Sequence, residues 1–287
     1  TEIKNIQITK DYQGDVIEIL PSNSFRSTTF TGNHPIWAST SCELKRNYNK
    51  THDVYRFNER FWDLKMDFKP ASEVNEGDWL EIPNRFNVKG WSDEEMSKKW
   101  IENSGDVRYD HSIKCPLLDA DFWWFVGMWL AEGWATKNGY AYNIETAHSI
   151  KEKHYAQKIK HVISKYDRSV TIQECDYNTI KTLFTSREVH SFLRSVFGSG
   201  AQKKRIPDWV KMIKPEFKVQ LIRGYLEGDG CWIRANRKDR KNNNSKMSFT
   251  SISLELLEGI QDMLFSLGII SCLNLLRDEG VAMFSKK

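Results

Sequence analysis

Paired cysteines are missing from this sequence. The five it has, Cys42, Cys115, Cys175, Cys231 and Cys272, are odd in number, widely spaced and form no Cys-x-x-Cys. That excludes a disulfide-framework domain and a zinc ribbon, and leads us to expect reduced thiols in the cytoplasm. Long apolar runs are also missing. The longest, Phe122 to Ala131, lies between Asp121 and Glu132 and reaches only about half the length a bilayer-spanning helix requires. A buried helix is the expected reading, with no membrane partner. Thr1 to Lys10 contains no signal-peptide apolar core. An excess of one charge sign is missing too: 42 basic residues face 38 acidic ones, a net +4. A nucleic-acid partner is thus permitted by the total but must be read from local clusters.

What is present is a repeat. Phe125-Val-Gly127-Met-Trp-Leu-Ala131-Glu132-Gly133 and Ile222-Arg-Gly224-Tyr-Leu-Glu-Gly228-Asp229-Gly230 align on their first glycines, and Glu132 and Asp229 then coincide, 97 residues apart. Each stretch carries small residues four apart, Gly127 with Ala131 and Gly224 with Gly228. Small residues on one helical stripe let a second helix backbone come close, which brings the two terminal acids together. Gly133 is expected to close its helix in a left-handed conformation. An acid at a helix C-terminus opposes the helix dipole, so finding the same placement twice argues for a site rather than for surface chance.

Around the repeat the pattern is mixed. Residues 1–86 read as β-rich, with alternation over Asp15–Leu20, a β-branched run Ser27–Thr31 and a turn at Gly32–Pro35. Residues 87–118 read as a polar linker carrying one short helix, with Ser92 and Glu95 as its capping box. His111 and Cys115 within it are too sparse for a metal site. From residue 119 each copy runs helix, strands, helix: 119–200 in the first copy and 215–287 in the second. Strands are expected at 140–147, 170–175, 179–184, 247–251 and 269–276, and helices at 149–166, 189–197 and 254–267. Only eleven residues follow Leu276, too few for the helix that ends the first copy. The segment Arg234 to Lys246 holds six basic residues and one acid, and reads as a hairpin tip for phosphates and bases.

Two resemblances follow from these residues. The pair of acid-ended helices, with Lys204-x-Ile206-Pro207 before the second, resembles the LAGLIDADG homing endonucleases over roughly residues 119–280. The family implies a pseudo-twofold αββαββα domain of α+β class, acting as a monomer. It implies cleavage of double-stranded DNA at a long asymmetric target, with Mg²⁺ as cofactor, two or three ions lying between the acids. By the same resemblance Glu132, Asp229 and Lys204 are catalytic, with Lys203 and Arg205 as alternatives for the cation. Glu132, Asp229, Ala131 and Gly228 form the metal site. The DNA contacts are Lys137, Asn143, Lys203, Arg205, Arg234, Arg237, Lys238, Arg240 and Lys246, and the first copy's strands further offer Asn138, Tyr142 and Thr146. A nucleic-acid-binding maturase or regulator that has lost cleavage is the alternative function.

Thr31-x-x-His34-Pro35, followed by Ala71-x-x-Val-x-x-Gly77-Asp78-x-Leu80, resembles the Hint fold of inteins. That family implies that His34 protonates a leaving amide and that Thr31 positions it. It also opens on Cys or Ser well upstream of the His and ends on His-Asn, whereas this sequence opens on Thr1 and ends on Phe284-Ser-Lys-Lys287. The expectation is therefore an incomplete, non-splicing Hint-like domain joined to an endonuclease.

Overall fold

The computed structural model describes residues 12–21, 27–39, 46–49, 54–57, 65–81, 89–105, 115–233, 246–277 and 281–285. They fall into two units, 1–83 and 84–287.

The first unit is β-rich. Strands β1 (Val16–Ile19) and β2 (Thr28–Thr31) pair antiparallel, Val16 opposite Thr31. Strand β3 (Pro35–Ser39) follows, then the hairpin β4 (Arg46–Asn49) with β5 (Val54–Phe57). Strands β6 (Asp67–Pro70) and β7 (Trp79–Leu80) flank β3 in a three-stranded sheet. The turn between β2 and β3 is held from both sides. The His34 amide donates to Thr31 O at 2.9 Å, and the Gly32 and His34 carbonyls accept from Ser72 and Ala71. The Gly-Asp turn before β7 forms as its sequence requires: Gly77 takes φ 94°, and Asp78 accepts from the Asn75 amide.

The second unit begins with α1 (Asp93–Ser104), α2 (Ala120–Glu132), β8 (Gly133–Asn138), β9 (Ala141–Ser149) and α3 (Lys153–Ser164). It continues with β10 (Thr171–Cys175), β11 (Thr179–Thr185), α4 (Arg187–Phe197) and the short α5 (Asp208–Lys211). The second copy is α6 (Pro215–Asp229), β12 (Gly230–Ile233), β13 (Lys246–Ser251), α7 (Leu254–Ser266), β14 (Cys272–Arg277) and β15 (Val281–Ser285). The two four-stranded sheets share one topology. Their orders are β10-β11-β9-β8 and β14-β15-β13-β12, with both acid-bearing helices running directly into an edge strand. Strand β15 was not anticipated from the pattern, and with it the second sheet matches the first strand for strand.

Helix α2 is buried at every position from Phe122 to Leu130. A helix apolar on all sides belongs at the centre of its domain, and this one is wrapped by both copies. Asp119 caps it by accepting from the Asp121 amide at 2.9 Å, and Lys165 pairs with Asp119 and Asp121.

Two expectations need correction. The stretch 87–118 is no free linker. Its helix α1 has the Ser92–Glu95 capping box, but Met96 and Trp100 are buried in the second unit's core. Trp100 lies 5.1 Å from Phe192 and 6.0 Å from Phe122, centroid to centroid. The polar surface of α1 hid two anchors spaced four apart on one helical face. Nor is Gly133 left-handed: φ is −109°, and Gly230 is likewise extended at −94°. Glycine is needed there for space. A Cβ at Gly133 would stand 2.2 Å from Trp129 Cδ1, and one at Gly230 2.3 Å from Leu226 Cδ1.

Candidate active site

The site starts with the contact between α2 and α6. A Cβ on Gly127 would lie 2.0 Å from Leu221 O, and a Cβ on Gly224 would lie 2.0 Å from Trp124 O. Positions 127 and 224 are repeat equivalents, as are 124 and 221. The two close approaches are therefore the same contact with the copies exchanged, the local signature of a pseudo-twofold axis. One turn further on, a Cβ at Gly228 would meet Ala131 Cβ at 2.4 Å and Glu132 Cγ at 3.2 Å. Backbone touches backbone along the seam because no side chain intervenes. A tie crosses one flank: Trp124 Nε1 donates to Glu227 at 2.7 Å, Arg223 pairs with the same carboxylate at 2.7 Å, and Lys158 Nζ sits 3.8 Å over the Trp124 ring.

The seam delivers Glu132 and Asp229 to one end of the pair. Glu132 is half-buried and Asp229 is open to solvent on one side. Burial pushes the Glu132 carboxyl above its ordinary value, the Asp229 and Glu152 charges push it further, and Lys204 opposes them. Burial also raises Asp229, against Lys204 and a hydrogen bond from Tyr225. Tyr225 is a site residue the sequence reading passed over. It lies four residues before Asp229, on the same helical face, and that spacing was the available signal. Its hydroxyl also lies 3.2 Å from Thr250 O, so its single proton is shared between that carbonyl and Asp229.

Lys204 is 6% exposed. Its ammonium donates to Trp129 O at 3.0 Å and to Leu130 O and Gly133 O at 2.8 Å each, bypassing Ala131. It is thus the cap of α2's C-terminus, where a cation complements the dipole and satisfies carbonyls the helix itself leaves open. Burial pulls its pKa down to about 8, against the favourable charges of Asp229 and Glu132. With all three protons spent on carbonyls, Lys204 acts on the acids through its charge. Of the other two candidates for this role, Lys203 is exposed, and Arg205 is turned to Ser195 O at 3.1 Å.

A cleft of about 320 Å³ opens beside the acids, lined by Leu130, Ala131, Ala201, Lys204, Asp229, Thr250, Ser251 and Ile252. Among the described residues no group of three or more His, Cys, Asp or Glu side chains gathers, so the two acids are the donors on offer. Two neighbouring carboxylates, both held above their ordinary pKa and one of them by the charge of the other, fit a hard divalent cation, which takes one or two carboxylates and fills its remaining positions with phosphate and water. The backbones of Ala131 and Gly228 border the same spot.

Residues 216–280 match the LAGLIDADG-like domain. The LAGLIDADG-like segment thus covers α6 through β14 and includes Asp229. The chain is 30% identical over 165 residues to the ATP-dependent DNA helicase Hel308 of Thermococcus kodakarensis, a match covering 56% of this chain and 14% of the helicase. It is 34% identical over 157 residues to the DNA-directed RNA polymerase subunit Rpo1C of Methanocaldococcus jannaschii, covering 54% and 16%. A third match, 25% over 152 residues, is to the iron-sulfur cluster assembly SufBD family protein ML0593 of Mycobacterium leprae, covering 52% and 16%. The chain spans less than a fifth of the length of each of these relatives. Among solved structures, the homing endonuclease I-DmoI in complex with DNA and Mn is similar at a TM-score of 0.44 and 13% identity, over 58% of this chain and 89% of that one.

The other proposed contact residues divide by face. In β9, Ile144, Thr146 and His148 are buried on the helix side. Thr146 bonds His148 at 2.9 Å and Thr182 at 2.7 Å, so it is not available to a ligand. Asn143 is on the open face, bonded to Thr185, along with Thr136, Glu145 and Lys181 by strand alternation. Lys137 pairs in register with Tyr142 and therefore lies on the opposite, helix-covered face. Arg234, Arg237, Lys238 and Arg240 lie outside the described residues, and Lys246 is placed only as the first residue of β13. No helix among the described residues is long and apolar enough to cross a membrane.

Proposed function

We propose that this chain is a site-specific double-strand DNA endonuclease that hydrolyses phosphodiesters with a divalent metal, Mg²⁺ by preference, between Glu132 and Asp229. One observation carries the reading: two acids in repeat-equivalent positions end two helices whose backbones touch through exchanged glycine contacts. One acid per copy at a pseudo-twofold axis suits cutting two antiparallel strands. When bound, the metal stabilises charge on the phosphorus oxygens and activates water. The chain's own residues hold it, with Lys204 fixing the end of α2 and adding positive charge. Ala131 and Gly228 offer backbone next to the acids. The chain acts as a monomer that reads unequal half-sites of duplex DNA, through Asn143 on the first sheet and through the basic residues Lys203, Arg205, Arg234, Arg237, Lys238, Arg240 and Lys246.

The intein association is part of the proposal. Similar segments of about the same length recur in a helicase, a polymerase subunit and an iron-sulfur assembly protein. A module shared by proteins with such unrelated names is a mobile insertion rather than any of those activities. The first unit, with His34 following Thr31 in a docked turn, is the Hint-like remnant in this reading.

Selection of cleaved products from a randomised duplex library with Mg²⁺ or Mn²⁺ tests the function. Glu132→Gln and Asp229→Asn should each abolish double-strand cleavage. Cleavage surviving both substitutions overturns the assignment of the acids. Target binding without cleavage by the native chain shifts the conclusion to a DNA-binding protein.

A further inference from the structure

At the outer end of the first sheet, on the helix-covered face, two cations and a histidine converge on one ring. Lys137 Nζ stands 5.1 Å from the centroid of the Tyr142 ring, and the Arg187 guanidinium carbon stands 6.0 Å from it. His190 meets the same ring edge-on at 5.1 Å. His190 is 5% exposed, and its Nε2 has no hydrogen-bond partner. Burial holds the His190 ring below its ordinary pKa, and the charges of Arg194, one turn further along α4, and of Lys137 add to the effect. Glu188, in the first turn of α4, bonds Ser186 and Arg168 and also feels the charge of Arg187. Among the described residues none of Lys137, Arg187 and Arg194 makes an ion pair.

This arrangement is costly without a ligand. Like charges gathered over one ring repel each other, and contacts to an aromatic face recover only part of that. A buried imidazole nitrogen without a partner adds its own penalty. The position also faces the first turn of α4, where the dipole favours an anion, although Ser186 Oγ already takes the Val189 amide. The frame is firm: the Ser186 amide donates to Tyr142 O at 3.1 Å, and His190 N donates to Ser186 O at 3.0 Å.

We propose that Lys137, Tyr142, Arg187, His190 and Arg194 form a phosphate-binding site that takes a backbone phosphodiester of duplex DNA. The site is separate from the acids and from the open face of the sheet. It rests on the DNA-substrate reading above only for the source of the phosphate. Lys137 and Arg187 supply the charge and Arg194 reinforces it. The anion offsets the charges of Lys137 and Arg194 that act on the His190 ring, so the ring takes up a proton from solvent when the anion arrives. Such a contact positions DNA without reading sequence.

The test follows the His190 ring by NMR in histidine-labelled full chain, titrated first with inorganic phosphate and then with a duplex of arbitrary sequence. Both should raise the His190 titration midpoint by about one pH unit. The exposed double variant Lys137→Ala/Arg187→Ala should abolish that rise. The same variant should lower the salt dependence of duplex binding by about one unit of slope for each phosphate it no longer neutralises. A midpoint unmoved by inorganic phosphate overturns the site. A midpoint that phosphate moves and the duplex does not, while anisotropy shows the duplex bound, overturns DNA as the source and leaves a free-phosphate site. A duplex that fails to bind at all defeats the DNA reading itself, and with it DNA as the source here. The phosphate titration separates that failure from failure of the site.

Discussion

The two copies share one topology and differ where chemistry happens. Around Asp229 the second copy places Tyr225 four residues before the acid, and Lys204 lies close by in the cleft. The equivalent of Tyr225 in the first copy is Met128, a thioether with no proton to give. Glu132 instead feels the charge of Glu152. Likewise the cross-helix tie from Trp124 to Glu227 has Leu221 and Leu130 at the equivalent positions. The contacts that must be symmetric, the glycine approaches, are symmetric. Those that tune each carboxylate are not. Geometry at the axis admits one solution, whereas charge around each acid can be set independently.

Seven substitutions in four sets probe that comparison, beginning with the shared seam. Gly127→Ala and Gly224→Ala each drive a Cβ to 2.0 Å from a backbone oxygen, so the helices must part. Each should cost more than about 3 kcal/mol by chemical denaturation, and by similar amounts. A large difference between the two would break the pseudo-twofold description.

Lys204→Met removes three hydrogen bonds from the end of α2 and should cost about 3 kcal/mol. Here pH gives a sharper signature. The folded lysine titrates at about 8, against 10.5 for the free side chain. Below pH 8 both states hold the proton and the difference is constant. Between the two values only the unfolded chain holds it, so native stability relative to the methionine variant should rise with pH, by at most about 1.4 kcal/mol per pH unit. A flat difference across pH 8 to 10.5 would mean that Lys204 is not buried as described.

Glu132→Gln and Asp229→Asn test the acids. Both carboxyls are raised in the fold, so the folded state binds protons more tightly than the unfolded one. The stability this contributes is full at pH below the unfolded values and is lost as pH rises through the folded ones. At neutral pH without metal, each variant should therefore melt a few degrees higher than the native chain. Each should also lose most of the native chain's stabilisation by Mg²⁺ or Mn²⁺ in the same melting experiment. Undiminished metal stabilisation in both variants would place the cation elsewhere.

Tyr225→Phe is the smallest change, about 1 kcal/mol. It removes a hydrogen bond that holds Asp229 down, so the acidic limb of the cleavage profile should move to higher pH. Met128→Leu in the first copy should leave that limb in place, and equal shifts from the two would erase the asymmetry.

Much of the fold was legible because its elements announce themselves locally. The capping box at Ser92 and Glu95 is a short-range bond between neighbours, and it formed where the pattern put it. The α3 face of Ile159, Val162 and Ile163 is buried as its periodicity requires. The role of α1 was not legible, since Trp100 reads as one more residue in a polar stretch until Phe122 and Phe192 close around it. The hidden face of Thr146 was lost for a related reason: a polar side chain on a strand does not declare which side it serves. Lys204 shows the same limit. A lysine in a basic cluster reads as a surface cation, yet three carbonyls from a helix over seventy residues away consume its protons.

The sequence by itself determined that two acids sit at the ends of two helices striped with small residues, because side-chain size and helical period are properties of neighbouring positions. Only the tertiary structure decided what surrounds each acid. Burial, a phenol one turn back, a capping lysine and a rival carboxylate act through space, and chain positions far apart in order supply them.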